Sequence, residues 1–264
     1  MTDWDGAGYE RISGLQRRLA RATLAQLSLA GDERVLDVGC GDGYITRAIA
    51  ARLPGGSVLG LDASPRMIAA ARSHADPPGA RVAFEVGDVL GLTAVDEFDV
   101  VVSFNALHWV ADQVAALTAI GRATRPAGRV VVQQVCAGPR RSLEATAMAV
   151  CHTPAWSAFF SGFGAPFVHV DPRRYADLAA AAGLRVTDQQ VEDIRWDFGS
   201  RAAFTDWCTV GFADWTGRLP PDRAADWVQA VVEAYQQQVG EPGVFRFLQL
   251  RAELVPSTIR GSGT

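Results

Sequence analysis

The chain has 264 residues, 48% hydrophobic and 20% charged, a balance that suits one α/β domain with a sizeable buried core. A formal net charge of −4 argues against a general phosphate-backbone binder, which needs a basic face, and every fixed cation is an arginine because the chain has no lysine. Four scattered cysteines without a C-x-x-C pair point to free thiols and not to zinc or disulfides, so no metal is expected.

In chain order, a first amphipathic helix is predicted from Tyr9 to Leu29, with Ile12, Leu15, Leu19, Leu24 and Leu27 on one side and Arg11, Arg17, Arg18 and Arg21 facing out. The apolar run Val35-Leu36-Asp37-Val38 reads as a strand ending in Gly39-Cys40-Gly41-Asp42-Gly43, followed by a helix carrying Ile45, Ile49 and Leu53. Pro54-Gly55-Gly56 stops that helix, and Val58 to Leu61 is the next strand. Ser64-Pro65 starts another helix, with an N-cap hydroxyl and proline at the first helical position. Further strands are predicted over Arg81–Val86, Phe98–Phe104 and Arg129–Val135, with a helix over Val110–Ala123. Buried strands alternating with helices indicate a doubly wound, mostly parallel sheet.

After Val135 the rhythm breaks. Pro139 to Asp171 reads as helical and aromatic, Tyr175 to Gly183 as a helix leading into a strand over Leu184–Val191. Ser200–Trp215 and Asp222–Val239 read as helical, Val244–Val255 as the last strand, and Ile259–Thr264 as a frayed tail. The expected organisation is one domain over 1–258: an N-terminal lid helix (1–30), a core (31–136), and helical, aromatic cap insertions at 137–171 and 195–243. Met1 to Glu10 is polar, unlike a signal peptide, and no apolar run approaches the roughly 20 residues of a membrane helix, so a soluble cytoplasmic protein with no membrane partner is expected.

The strand–Gly39-x-Gly41-x-Gly43–helix unit lets backbone approach a ligand closely. Asp62 ends the second strand, where an acid accepts hydrogen bonds from ribose hydroxyls, and Asp88 follows the third, placed to receive an adenine amino group. Each has a plainer reading, Asp62 as a helix-dipole acid and Asp88 as a turn residue. Asp99 reads as a structural cap, and Cys40 as a small residue that fits the loop.

Val35 to Gly43, Leu61-Asp62-Ala63-Ser64, Gly87-Asp88-Val89 and Phe98 to Ser103 together resemble the class I S-adenosylmethionine (SAM)-dependent methyltransferases. The resemblance implies a seven-stranded Rossmann-like sheet ending in an antiparallel strand, with SAM as cofactor and S-adenosylhomocysteine as product. It assigns the methionine portion to Asp37, Gly39, Gly41 and Gly43, the ribose to Asp62 beside Ala63, and the adenine to Asp88 beside Val89, with Asn105 also at the cofactor.

Ligands of open α/β sheets bind outside the carboxyl ends of the strands, which places Asn105-Ala106-Leu107-His108-Trp109 near the transferred methyl. His108 is a candidate general base, or a residue that orients the acceptor or packs. The other histidines, His74, His152 and His169, lack metal spacing. Leu107-His108-Trp109, the Tyr9–Gln16 region and the aromatic cap are similar to the trans-aconitate, juvenile-hormone-acid and malonyl-thioester O-methyltransferases, which implies carboxylate O-methylation. Arg140, Arg141 and Arg195 are candidate carboxylate clamps by location. Trp4 and Tyr9, by the same resemblance, close over SAM, and Trp109 and Trp156 join them as candidate pocket residues.

Five of the seven tryptophans follow residue 150, which indicates either an aromatic-lined pocket for a small-molecule acceptor or a cap that needs large side chains for its own core. An alternative is a nicotinamide-dependent oxidoreductase, but the loop is G-x-G-x-G and a Tyr-x-x-x-Lys pair is impossible without lysine. A second alternative is a non-catalytic SAM-binding protein on the same fold. A nucleic-acid methyltransferase is disfavoured by the acidic balance and by the lack of an Asn-Pro-Pro-Tyr type segment.

Overall fold

The computed structural model describes residues 14–257, the side chain of Gln16 excepted. Trp4, Tyr9, most of the first turns of the predicted lid helix, and the tail 259–264 lie outside the described residues. Helix α1 (Gly14–Gln26) is the described part of the predicted first helix, and Leu15 and Leu24 on it are buried.

Strands β1 (Arg34–Val38), β2 (Ser57–Asp62), β3 (Val82–Val86), β4 (Phe98–Phe104) and β5 (Thr124–Val135) alternate with helices α2 (Tyr44–Ala50), α3 (Pro65–Ser73) and α4 (Gln113–Ala123). Helix starts are chemically marked. The Ser64 hydroxyl accepts from the Met67 N–H with Pro65 at the first position, and the Asp112 carboxylate accepts from the Ala115 N–H at α4. Helix α5 (Leu143–Cys151), helix α6 (Tyr175–Ala181) and strand β6 (Leu184–Asp197) follow. Helices α7 (Arg201–Gly211), α8 (Ala213–Thr216) and α9 (Pro221–Val239) precede strand β7 (Val244–Pro256).

The seven strands form one sheet in the order β3-β2-β1-β4-β5-β7-β6. Pairs β1–β2, β1–β4, β2–β3 and β4–β5 are parallel, and β7 runs antiparallel to both its neighbours, as the predicted final strand requires. The central strands β1 and β4 and the last half of β5 are largely apolar because both faces of the sheet are covered there. Val35, Val100, Val102 and Val131 pack with Leu24, Ile49 and Leu53 on one face, while Leu36, Val101, Val130 and Val132 pack with Leu117, Ile120 and Leu184 on the other.

A third core belongs to the helical layer. Trp215 and Trp227 are fully buried with ring centroids 6.3 Å apart, among Phe160, Phe204 and Phe212 and against Phe245 and Phe247 of β7. Two sequence expectations change here. Only Leu143–Cys151 of the predicted helical stretch 139–171 is α-helical, and the rest is a run of turns that returns to the sheet through a Cys136–Val170 bridge. Strand β6 continues to Asp197, paired Trp196 with Phe245 and Asp197 with Val244, so the second helical insertion begins after 197 and not at 195. The physical reason is that β6 is an edge strand, exposed over most of its length, and its polar residues lack the alternation that marks a half-buried strand. Among the described residues no helix is long and apolar enough to cross a membrane.

Candidate active site

The carboxyl ends of β1, β2 and β4 meet in a cleft of about 860 Å³, part of it open to solvent. Gly39 has φ +75°, and a Cβ there would stand 2.1 Å from the Ala106 Cβ, so the β1 loop and the β4 loop touch without room for a side chain. Gly43 has φ +76° at the start of α2, where a Cβ would meet Phe84 at 2.7 Å. Between them Gly41 lines the cleft and faces open space.

Asp62 stands at the end of β2 and ties these loops together: its Oδ2 accepts from the Gly41 N–H and its Oδ1 from the Ser64 N–H, both at 2.9 Å. Burial raises its pKa, opposed by those two N–H donors. Each oxygen has spent one lone pair, so the carboxylate retains acceptor capacity for a pair of hydroxyls. Ala63, Gly87 and Val89 also line the cleft.

The other predicted cofactor residues separate into different places. Asp37 is buried beneath the loop, where its Oδ2 accepts from the Thr46 hydroxyl at 2.7 Å, and burial pushes its pKa up to about 7. It ties β1 to α2 and is not among the residues lining the cleft. Asp88 is exposed at the rim, capping a 3₁₀ turn through the Leu90 N–H, while its neighbours Gly87 and Val89 supply the lining.

Asn105 is the hinge of the site. It follows β4 with φ +59°, its N–H donates to the Gln133 carbonyl at 2.7 Å, and its side-chain oxygen accepts from Gln249 Nε2 at 2.9 Å. Asparagine tolerates this left-handed conformation better than most residues. The 3₁₀ turn Leu107–Trp109 that follows is pinned by the Gln113 amide, which donates to the carbonyls of Leu107 and Val110.

Asn105 and Trp109 also line a second hollow of about 780 Å³, next to the cleft. Its walls are mostly apolar: Leu15 and Leu19 of α1, Leu143, Trp207, Phe212, Phe245 and Phe247. His108 lines it too, buried and with Nδ1 unpartnered. Burial, reinforced by nearby His169, pushes the His108 imidazole down to about 3, so it is neutral at pH 7. Trp156 sits elsewhere, in the helical core beside Phe159 with the Arg223 guanidinium over its ring at 4.8 Å.

Sequence reasoning did not single out Glu144, and it set His169 aside for want of metal spacing. Glu144 lines the apolar hollow, and its Oε2 lies 3.8 Å from His169 Nε2. The available signal was weak: Ser142 before Leu143-Glu144 announces a capped helix start, at which an acid is unremarkable. Of the proposed arginine clamps, Arg140 pairs with Asp193 and Arg195 with Glu241, and neither lines the hollow. Among the described residues no group of three or more His, Cys, Asp or Glu side chains is placed to hold a metal ion.

The cleft suits a nucleoside that carries an amino-acid tail. It combines a glycine-lined approach, a buried carboxylate with free lone pairs, and the apolar walls Leu61, Met67 and Val89 for a flat ring.

A family model described as "Methyltransferase domain" matches residues 29–181, more than half of the chain and all of the cleft. The chain is similar to trans-aconitate 2-methyltransferases: 38% identical to that of Methylobacterium nodulans over 133 residues, half of each chain. It is 30% identical to that of Variovorax paradoxus over 241 residues, covering 86% of this chain and 87% of the relative. The fold matches the crystal structure of the YcgJ protein from Bacillus subtilis with a TM-score of 0.66 at 18% identity, over 91% of this chain and 99% of that one. A glycine loop, a buried carboxylate that organises it and a sheet that includes an antiparallel strand thus coincide with a family match, and the chain belongs to the SAM-dependent methyltransferases.

Proposed function

We propose that the protein transfers a methyl group from SAM to an oxygen of a small molecule, a carboxylate or hydroxyl on an apolar or aromatic body. The observation that carries this reading is the meeting of a glycine-lined cleft that holds a buried carboxylate with an apolar hollow at two shared residues, Asn105 and Trp109. When bound, SAM supplies a methyl group on a sulfonium, which leaves by in-line displacement.

In this reading Asp62 holds the ribose hydroxyls, the backbone around Gly39 and Gly41 receives the methionine portion, and Gly87 and Val89 flank the adenine, with Asp88 at the rim. Asn105, fixed by Gln133 and Gln249, marks the junction where donor and acceptor meet. The apolar walls exclude water and align the acceptor, which is most of what such a displacement asks of a protein. His108, neutral at pH 7, serves as a wall and a hydrogen-bonding group. The trans-aconitate relatives support a carboxylate acceptor, and the apolar lining supports an apolar body for it. The buried free cysteines fit a reducing, cytoplasmic setting.

The test is incubation with methyl-labelled SAM and pools of apolar carboxylic acids and phenols, followed by mild base. Label released as methanol identifies a methyl ester, and label retained identifies an ether. Tight SAM binding without transfer to either pool defeats the proposal.

A further inference from the structure

Asn105 stands where the cleft and the hollow meet, and its neighbours decide which end of its amide faces which way. Its Oδ1 accepts from Nε2 of Gln249, a residue of β7 that is 6% exposed, at 2.9 Å. The backbone is held as well, with φ at +59° and the Asn105 N–H donating to the Gln133 carbonyl at 2.7 Å. An amide that has given its oxygen to one side has only N–H donors to offer on the other. The sense of the Gln249 amide follows from a small polar pocket, about 420 Å³ and part of it open to solvent, which Gln249 lines and Asn105 does not. Donors crowd that pocket. The Thr23 hydroxyl donates to Gln133 Oε1, which leaves Gln133 Nε2 buried without an acceptor, and Arg251 Nε is buried in the same state. The acid of that lining, Glu192, is exposed. A carbonyl is therefore favoured on the pocket side of Gln249 and an NH2 group on the side of Asn105.

We propose that Gln249 aims Nδ2 of Asn105 at the junction, where it donates to one oxygen of an acceptor carboxylate while the other oxygen meets the methyl group. This rests on the reading of the cleft and the hollow as the donor and acceptor sites. Asn105 then touches the acceptor, and Gln249 is a positioning residue that acts through it. The free carboxylate oxygen forms the new O–C bond as the S–C bond breaks. The bonding pair stays on sulfur, and carboxylate and sulfonium both end neutral. No proton moves, so the step asks for a fixed donor and not for a base. An amide fits that demand because its N–H groups remain donors across the ordinary pH range. A hydrogen bond to a charged group changes affinity by about tenfold to a hundredfold, enough to set a preference between head groups on one apolar body.

The test titrates 2-naphthoate and 2-naphthol calorimetrically into the full chain at pH 7.5 with saturating S-adenosylhomocysteine. The wild type is expected to bind naphthoate at least about threefold more tightly than naphthol. Asn105→Asp keeps the acceptor for Gln249 and tolerates the left-handed backbone, but puts an anionic oxygen where the donor stood; it should lower the naphthoate-to-naphthol ratio at least about tenfold. Gln249→Met keeps the length of the side chain without its donor and should lower the ratio by about threefold to tenfold. A purely structural role moves both probes together and leaves the ratio alone. Circular dichroism reports whether each variant folds, and the wild-type preference is read without either. Equal or tighter binding of naphthol by the wild type, a ratio that neither substitution moves, or no binding of either probe overturns the proposal. A ratio lowered by Asn105→Asp alone overturns the role of Gln249. Should labelled SAM esterify naphthoate in any of those cases, the proposed function stands without this inference. If the ratios behave as expected and no label is transferred, the methyl-transfer reading fails and the Asn105 donor stands.

Discussion

The proposed cofactor cleft and the proposed acceptor hollow lie side by side, sharing Asn105 and Trp109, and are made of different material. The cleft is built by backbone: glycine loops at the ends of strands, their N–H groups organised by Asp62. The hollow is built by side chains brought from α1, α5, α7 and β7, elements far apart in the chain. Backbone geometry demands particular residues at fixed spacing, whereas an apolar wall accepts any large side chain of the right volume. The difference explains why one region has a readable signature and the other is open to divergence in what it binds.

Four substitutions test how separate the two regions are. Trp227 is fully buried in the helical core, so Trp227→Ala is expected to cost about 3–5 kcal/mol in denaturant unfolding. If the regions are independent, the folded variant keeps its affinity for S-adenosylhomocysteine; a parallel loss of that affinity breaks the distinction. Gly39→Ala combines a left-handed backbone with a 2.1 Å collision against Ala106, and about 2–4 kcal/mol of destabilisation is expected, together with weaker cofactor binding by calorimetry. Asp62→Ala removes charged hydrogen bonds and should weaken cofactor binding by about ten- to a hundredfold, while exposed Asp88→Ala changes it by only about twofold to threefold. Equal losses at the two acids are evidence that the rim matters as much as the buried carboxylate.

The smallest effect concerns Asp37. Its pKa rises from 3.8 to about 7 on folding because it is buried, so the folded state holds the proton more tightly than the unfolded chain. That contribution is full below about pH 4 and is lost as pH rises towards about 7. Asp37→Asn, which can still accept from Thr46, should flatten the decline and gain about 1 kcal/mol at pH 8 in thermal or denaturant unfolding.

The parallel half of the sheet was legible because β1, β2, β4 and β5 are apolar runs separated by capped helices, and Asp62 and Gly41 were legible because spacing along a βα unit fixes where they meet. Strand β6 beyond Val191 was not, since an exposed edge strand needs no alternating pattern. Proximity to the cofactor motif drew attention to His108, whereas Glu144 and His169 are 25 residues apart and meet only when the chain after α5 folds back to the sheet at Val170. Trp156 illustrates the reverse case: an aromatic residue in a cap is as useful to a core as to a pocket, and here it serves the core.

The position of β7 between β5 and β6 bears on how the protein is made. On the ribosome β6 emerges before the helical segment 198–243 and waits for β7 before it has a strand to pair with. During that interval the parallel strands β1 to β5 already have one another as partners, and the outer edge of β5 has none. Arrival of β7 covers that edge, captures β6, brings Gln249 to Asn105 and places Phe245 and Phe247 in the acceptor wall. Every residue that lines the cleft has therefore been synthesised by Val110, whereas the hollow lacks part of its wall until Phe247.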